Sequence, residues 1–143
     1  MAKRTILIVN HSNSFFEADA ASAITPGHLV ELNSDGDVLS HSTPAGAAMK
    51  QFAIEDALQG NGISDAYAAD DPVRVWTPQP GDEVNALLAD GETAVIGDFL
   101  ESAGDGTLNV YSAGVIVAQA TEAVDMSLSS GEDPTGRIIV RII

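Results

Sequence analysis

The sequence lacks cysteine altogether and contains few basic or aromatic residues. Without cysteine there are no disulfides, thiolate metal sites or cysteine nucleophiles. Six Lys and Arg residues are too few for a surface that binds phosphates, and an anionic membrane would repel 21 Asp and Glu residues. Aromatic residues make up only 5% of the chain, which disfavours stacking platforms for bases or sugars. We therefore expect neither nucleic acid nor a membrane as a partner.

Long apolar runs are also absent. The run at residues 5–9 ends at polar Asn10 and is too short for a signal sequence or a membrane span. At 143 residues the chain fits one domain, since a chain of about 150 residues hides roughly 68–70% of its unfolded surface. We expect a soluble, unprocessed protein with a core of Val, Ile, Leu and Ala.

The acidic excess gives a formal charge of −15, and it is unevenly distributed. All 21 acidic residues lie between residues 5 and 136, where Lys50 and Arg74 are the only basic ones. One interpretation is a well-solvated surface that favours solubility at some cost in self-repulsion. The other is adaptation to concentrated salt, where the screening length falls to about 3 Å at 1 M. We expect the cations near the two chain ends to make the partner contacts.

The hydrophobic pattern changes near residue 25. Residues 4–10 predict one short strand that is apolar on both faces, whereas the polar, alanine-rich residues 11–25 predict no packed element. Residues 1–25 are therefore expected to form an extended N-terminal arm. Residues 26–143 have short apolar runs broken by Gly, Asp, Asn or Pro, which is typical of a single all-β domain. We expect a small β-barrel or β-tulip-like body.

Several local patterns predict specific elements. Residues 28–32 and 37–40 flank an Asp35-Gly36 turn and predict a β-hairpin. Residues 45–58 suit either one or two helical turns or a short strand, so at most one short helix is expected. The unit Gly-Asp-x-apolar occurs twice, at residues 81–84 and 97–100, which does not establish a repeat. Further strands are predicted at residues 73–76, 83–88, 93–96, 107–111, 114–120 and 137–143.

Candidate chemical motifs do not meet the geometry that each requires. The spacings of His11, His28 and His41 match no metal-ligand framework, and residues 33–37 lack the Gly and the bidentate acid of a calcium loop. Residues 60–65 have an acid where a dinucleotide loop needs Gly or Ala, and no Walker loop or Gly-x-Ser-x-Gly elbow is present. Carboxylate pairs are common among 21 acids, and the aromatic cleft of a glycosidase is missing. We expect no cofactor, no metal site, no catalytic residue and no enzymatic activity.

The chain from residue 24 onward carries an ordered set of turn and strand motifs. They are Thr25-Pro26-Gly27-His28, Phe52-Ala53-Ile54-Glu55-Asp56, Tyr67 ahead of the strand through Trp76, Gly97-Asp98-Phe99-Leu100, Asp105-Gly106-Thr107-Leu108, Ala118-Gln119-Ala120-Thr121 and the closing strand at residues 137–143. In this order the motifs resemble those of the capsid cement or head-decoration proteins of tailed bacterial or archaeal viruses. The segment before residue 24 is longer and more polar than expected for that family, and the lysine content is lower. The low lysine content suggests a virus of a salt-loving host.

The resemblance implies a structural role on the virion. Such proteins bind the outside of the mature icosahedral head, commonly as trimers, and stabilise contacts between major capsid protein subunits. Assembly is then expected in the host cytoplasm. An arm that extends onto the coat protein would make the contacts, which we expect from Lys3, Arg4, Ile6, Ile8, Phe15 and Phe16.

Two alternatives stay open. The strand within the arm could pair with its own domain instead of with a neighbour. Either pairing would cover the edges of this apolar strand, which promote aggregation when they are left free. The alternative function is an acidic binding module on the virion surface that holds cations or glycans for host attachment, through Asp35, Asp37, Asp70 and Asp71.

Overall fold

The computed structural model describes residues 3–11, 13–128 and 136–143. These residues form an all-β protein in which the only helix is one short 3₁₀ turn, as the sequence predicts. The elements are β1 (Leu7–Val9), β2 (Phe15–Asp19), β3 (Leu29–Leu32), β4 (Val38–Ser40), β5 (Gln51–Ala53), η1 (Ala57–Gln59), β6 (Pro72–Trp76), β7 (Glu83–Leu87), β8 (Thr93–Ala94), β9 (Phe99–Ser102), β10 (Leu108–Val110), β11 (Ile116–Ala120), β12 (Val124–Asp125) and β13 (Arg137–Ile142).

Two antiparallel sheets contain most of these strands. The six-stranded sheet has the order β1-β7-β13-β11-β9-β10, and the five-stranded sheet has the order β2-β6-β5-β3-β4. The short strands β8 and β12 pair with each other. The predicted hairpin is confirmed as β3 and β4, with Val30 opposite Ser40 and Gly36 at positive φ in the turn. Between residues 45 and 58 the structure has both a strand, β5, and the 3₁₀ turn η1.

Both sheets are open, yet in each one a parallel bridge joins strands that are far apart in the sheet order. In the six-stranded sheet a parallel bridge joins Leu88, which follows β7, to Leu108 of the edge strand β10. In the five-stranded sheet a parallel bridge joins Ala20, which follows β2, to Val38 of the edge strand β4. The all-β body that the sequence predicts thus consists of two strongly curled sheets.

The five-stranded sheet is buried on both faces, because successive residues of its strands enter two different cores. On one face Leu29, Phe52 and Trp76 belong to the larger core, together with residues of the six-stranded sheet. Since neighbouring residues of a strand face opposite sides, the other face supplies a smaller core. That core includes Val30, Ala53, Val73 and Val75. Burial on both faces explains why these strands are apolar runs without strict alternation.

The sequence predicts an extended arm over residues 1–25, but the structure folds the described part of this segment into the sheets. β1 pairs with β7, and β2 pairs with β6 over five residues. The physical reason is burial, since Ile6 is fully buried in the larger core. Buried Asp82 fixes the segment after β1, because its Oδ1 accepts the His11 N–H at 2.7 Å. The pairing of this strand with its own domain, instead of with a neighbour, is therefore what the structure contains.

One turn geometry recurs at the starts of several strands. The first residue donates its N–H to the side chain of the fourth, and the fourth donates its N–H to the carbonyl of the first. In the turn before β7, Gln79 N lies 2.9 Å from Asp82 Oδ2, and Asp82 N lies 2.9 Å from Gln79 O. The repeated Gly-Asp unit is this turn, because Gly81 and Gly97 provide the positive φ at the third position. The other turns span residues 25–28, 62–65, 68–71 and 95–98.

A short strap at residues 43–46 joins the two sheets. The Ala45 N–H donates to the Ser102 carbonyl at the end of β9, and the Ala45 carbonyl accepts the Val115 N–H next to β11. Ala45 has a φ of 58°, a left-handed conformation that is uncommon for alanine. The strap lies so close to Gly114 that a Cβ there would overlap the backbone of Ala45. Gly114 is therefore required by the approach of the two sheets.

We expect Gly114→Ala to destabilise the fold by about 1–3 kcal/mol, because overpacking forces the strap away from the six-stranded sheet. Gly62→Ala is the matched control, since a Cβ at Gly62 would meet nothing nearer than 3.8 Å and its φ is not positive. Urea unfolding measures both effects. Equal stabilities of the two variants would contradict the close contact at Gly114.

His28 occupies the fourth position of the turn before β3. Its Nδ1 accepts the Thr25 N–H at 3.2 Å and lies 3.1 Å from Ser40 Oγ. Burial lowers the pKa of His28 below its usual 6.5, with Arg137 acting in the same direction and Asp105 opposing it. The neutral ring is therefore the form that holds this turn.

We expect stability to decline as the pH falls below 6.5, since the lowered pKa of His28 means that the unfolded chain then binds a proton more readily than the folded one. In His28→Asn the amide oxygen can accept the Thr25 N–H without titrating. Urea midpoints measured on either side of this pH should drop more in the wild type than in the variant. Identical drops would show that another group is responsible.

Candidate interaction surface

Positive charge is scarce on this molecule, and most of it is used internally. Four of the six cations have internal partners, which are Arg137 with the Ile63 carbonyl, Lys50 with the main-chain oxygen of Ile143, Arg141 with Glu83, and Arg74 with Glu17. Among the residues that the structure describes, Lys3 and Arg4 are exposed and have no hydrogen bond or ion pair. These two side chains are therefore the cations available to an acidic partner.

The other predicted contact residues differ in their exposure. Ile6 is fully buried in the larger core, so its side chain is not accessible to a partner in this fold. Ile8 is half-buried. Phe16 is also half-buried and packs against the smaller core. The predicted residues are therefore divided between core and surface, and between the two sheets.

Phe15 is the most exposed of the predicted apolar contacts, with 40% of its surface accessible. It lies opposite Trp76 in the pairing of β2 with β6. The guanidinium carbon of Arg74 is 5.9 Å from the centre of the Phe15 ring, and Arg74 Nε is 3.9 Å from Glu17 Oε1. An exposed cation–π contact contributes about 0.5–1 kcal/mol. Phe15 thus has an internal partner while part of its ring stays accessible.

β1 presents an open edge in the part of the chain that the structure describes. It is the outermost strand of its sheet, and its neighbour is β7. The Ile6 carbonyl accepts the Asn85 N–H at 2.8 Å, so the backbone groups of Ile6 and Ile8 face β7. Those of Leu7 therefore face outward, where its carbonyl accepts the Thr5 hydroxyl. After Leu7 the register shifts, and Val9 pairs with Glu83 of β7. An open edge of this kind can pair with a strand from another chain.

A second surface, which we call the aromatic patch, consists of Val95, Ile96, Phe99 and Tyr111. Their exposed fractions are 54%, 71%, 42% and 39%. The Tyr111 N–H donates to the Phe99 carbonyl at 2.8 Å, so the two residues are neighbours across β9 and the end of β10. Exposed apolar patches commonly mark protein contacts. Sequence reasoning missed this patch, because it predicted no strand at Phe99 and the patch depends on the pairing of β9 with β10.

Two apolar depressions flank Met49, which is 67% exposed. One has a volume of about 440 Å³ and the other of about 210 Å³, and both are lined by Ala48 and Met49. Leu32 and Glu31 complete the larger depression, whereas Lys50 and Pro78 complete the smaller one. The flexible methionine side chain between them can adapt to different partner shapes.

A third depression, of about 480 Å³, is polar and acidic and contains Asp56, Asp65 and Asp71. Tyr67 lies at its base and donates its hydroxyl proton to the Ile54 carbonyl at 2.6 Å. Burial raises the pKa of Tyr67 to about 12, so its hydroxyl stays protonated at neutral pH. Asp65 and Asp71 accept backbone N–H groups of their own turns. Among the described residues, no group of three or more His, Cys, Asp or Glu is arranged to hold a metal ion.

Buried His41 and Ser102 form a polar chain between the two sheets, together with half-buried Glu31. His41 Nδ1 is 2.6 Å from Ser102 Oγ, and His41 Nε2 is 2.9 Å from the Ala47 carbonyl and 3.6 Å from Glu31 Oε2. The order of these groups is similar to that of a hydrolase triad. However, Ser102 is only 1% exposed, so a substrate could not reach its hydroxyl. These hydrogen bonds connect His41 and Ala47, the residues on either side of the strap, to β9.

No protein-family model matches the sequence, and no curated protein matches it either. The fold is similar to a solved structure, the head fibre gp8.5 N base in bacteriophage phi29, with a TM-score of 0.58. The two chains share 14% sequence identity, and the match covers 91% of this chain and 93% of that one. At this level of identity the similarity concerns the fold.

The described residues thus present several surfaces and depressions suited to contact with a partner. None of the described segments is a helix of the length and apolarity needed to cross a membrane. Two features at the beginning of the chain, the free cations and the open β1 edge, are suited to an acidic, extended partner. The aromatic patch is suited to an apolar partner surface.

Proposed function

We propose that this chain is a non-catalytic structural protein that binds the outside of a tailed virus head. The observation that carries the proposal is the similarity in fold, over nearly the whole chain, to the base of a phage head fibre. The same proposal follows from the ordered sequence motifs that resemble capsid decoration proteins. In this role the protein stabilises contacts between major capsid protein subunits on the mature head.

The contact with the coat is made by the beginning of the chain. Lys3 and Arg4 are free of internal partners and attract an acidic segment of the coat protein. Each exposed ion pair contributes only about 0–1 kcal/mol, so the two cations guide and orient the partner more than they hold it. The outward backbone groups of Leu7 then hydrogen-bond to that segment and add a strand to the sheet. Phe15 supplies apolar contact from the neighbouring sheet.

Association with further copies, which we propose to yield a trimer, uses the aromatic patch. Each copy carries a charge of −15, so copies approach one another most easily where uncharged side chains face the partner. A trimer multiplies a modest affinity per copy, since the linked copies engage neighbouring coat subunits together. The acidic remainder of the surface faces solvent on the virion, and in concentrated salt its self-repulsion is screened. Assembly on the head takes place in the host cytoplasm.

The primary test compares heads that carry the protein with heads from which it has been stripped. Heads purified from the virus that encodes the chain should melt at a lower temperature without it and regain the higher temperature when it is added back. Differential scanning calorimetry measures both states. Unchanged melting on removal and on addition would overturn the stabilising role.

We expect Lys3→Ala to weaken binding to stripped heads by about two- to fivefold, the effect of one lost exposed ion pair. Lys50→Ala removes the same charge from a side chain that already has an internal partner, and it should bind as the wild type does. Co-sedimentation with heads at low and high salt measures both variants. Equal weakening by the two substitutions would point to net charge alone rather than to a contact at Lys3.

The edge contact has its own test. Leu7→Pro removes the outward N–H, whereas Leu7→Ala keeps it and loses the same packing against the larger core. Leu7→Pro should therefore bind stripped heads more weakly than Leu7→Ala while the two urea midpoints stay close, because proline is tolerated on edge strands. Ile8→Pro removes an N–H that faces β7 and should lower both stability and binding. If Leu7→Pro bound as well as Leu7→Ala, pairing along β1 would be wrong.

A further inference from the structure

The loop after η1 contains the only Asn-Gly pair in the sequence, Asn61-Gly62. Both residues are exposed. The main chain is held in place, since the Asn61 N–H donates to the Asp56 carbonyl at 3.1 Å. The side-chain amide of Asn61, in contrast, has no hydrogen bond to any described residue. This amide is therefore free to rotate next to the following peptide nitrogen.

That peptide nitrogen has a potential base within hydrogen-bonding distance. The Gly62 N–H donates to Asp65 Oδ2 at 2.7 Å, inside the range in which a side chain can take up a proton. The Asp65 N–H donates back to the Gly62 carbonyl and fixes the carboxylate in this position. Gly62 has no side chain, and a Cβ built there would meet only the Asp65 carboxylate, at 3.8 Å. The approach of the Asn61 side chain is thus sterically open.

We propose that Asn61 is a site of spontaneous deamidation in which the Asp65 carboxylate acts as the base. Asp65 accepts the proton of the Gly62 N–H, and the Gly62 nitrogen forms a bond to Cγ of Asn61. The bond from Cγ to Nδ2 breaks, and the nitrogen leaves as ammonia with the transferred proton. A five-membered cyclic imide results. Water then opens one of its two carbon–nitrogen bonds and leaves either aspartate or isoaspartate at position 61.

Other asparagines in the chain lack this combination. Asn33 precedes Ser34, and its Oδ1 accepts the N–H groups of Asp35 and Asp37, both at 2.9 Å. Those two hydrogen bonds hold the Asn33 amide away from the next peptide nitrogen. Asn85 is buried in β7, where the sheet fixes its backbone. The reaction should therefore be selective for Asn61.

Deamidation changes the acidic depression chemically. Asn61 lines this depression together with Asp56, Asp65 and Asp71, so the product adds a fourth carboxylate to it. The isoaspartate form also inserts one methylene group into the main chain directly before the turn at residues 62–65. Both changes weaken that turn, by charge repulsion in one case and by altered backbone geometry in the other. The loop after η1 is then a place where the folded protein is chemically modified over time.

The test uses the folded full-length protein, incubated at neutral pH and 37 °C and then digested with trypsin. Cleavage after Lys50 and Arg74 releases a peptide in which Asn61 is the only asparagine, whereas Asn33 lies in the peptide that ends at Lys50. Mass spectrometry should show that Asn61, in the peptide of residues 51–74, is converted to the acid faster than Asn33, in the peptide that ends at Lys50. Isoaspartate should accompany aspartate in the product, as seen by enzymatic methylation of isoaspartyl residues.

Two variants separate the proposed chemistry from simple exposure. Asp65→Asn removes the base and should slow the conversion by roughly tenfold, less than the usual contribution of a positioned base because a carboxylate is weakly basic. Gly62→Ala leaves the base in place and hinders ring closure, so it should also slow the conversion. Far-ultraviolet circular dichroism checks that both variants are folded. Equal rates in the wild type and Asp65→Asn, or conversion of Asn33 as fast as that of Asn61, would overturn the proposal.

Discussion

Burial of the five-stranded sheet on both faces is the constraint on which the rest of the molecule depends. Trp76 and Phe52 enter the larger core, while Val75 and Ala53, which pair with each other, enter the smaller one. A strand buried on both sides has few positions for a charged residue, and those on β3 and β6, Glu31 and Arg74, are only half-buried. Most charges therefore lie in turns, on edge strands and on the outer face of the other sheet. The turns with aspartate at the fourth position meet this need in part, because the Asp65 and Asp71 carboxylates are exposed while they hydrogen-bond the backbone, whereas Asp82 is buried.

Much of the fold follows from local sequence patterns, and the exceptions have physical causes. The hairpin of β3 and β4 is predicted because an Asp-Gly turn joins two apolar runs, and β13 because its residues 138–140 are apolar and β-branched. β2 escapes prediction because only Phe16 and Ala18 face a core, and the residues between and after them are acidic. Its pairing with β6 is a tertiary contact, which no pattern within residues 11–25 encodes.

The candidate contact surfaces, like the fold, are only partly predictable from local sequence patterns. The exposure of Lys3 and Arg4 follows from charge alone, because an unpaired cation is rarely buried. The burial of Ile6 could not be derived, since an apolar side chain in a short strand suits a domain core and a partner interface equally well. Phe99 and Tyr111 form a patch only because the register of β9 and β10 brings residues 12 positions apart side by side. Registers of this kind are set by the whole sheet and not by either strand.

The order of strands also has a consequence for biosynthesis. All strands of the five-stranded sheet lie between residues 15 and 76, so this sheet can form while the remainder of the chain is still being made. The six-stranded sheet has β13 between β7 and β11, and it cannot pair these strands correctly before residue 142 has left the ribosome. β1 leaves the ribosome well before β7, the strand with which it pairs. The apolar beginning of the chain is therefore exposed longest during synthesis, and the acidic residues that follow it help to keep the nascent chain soluble.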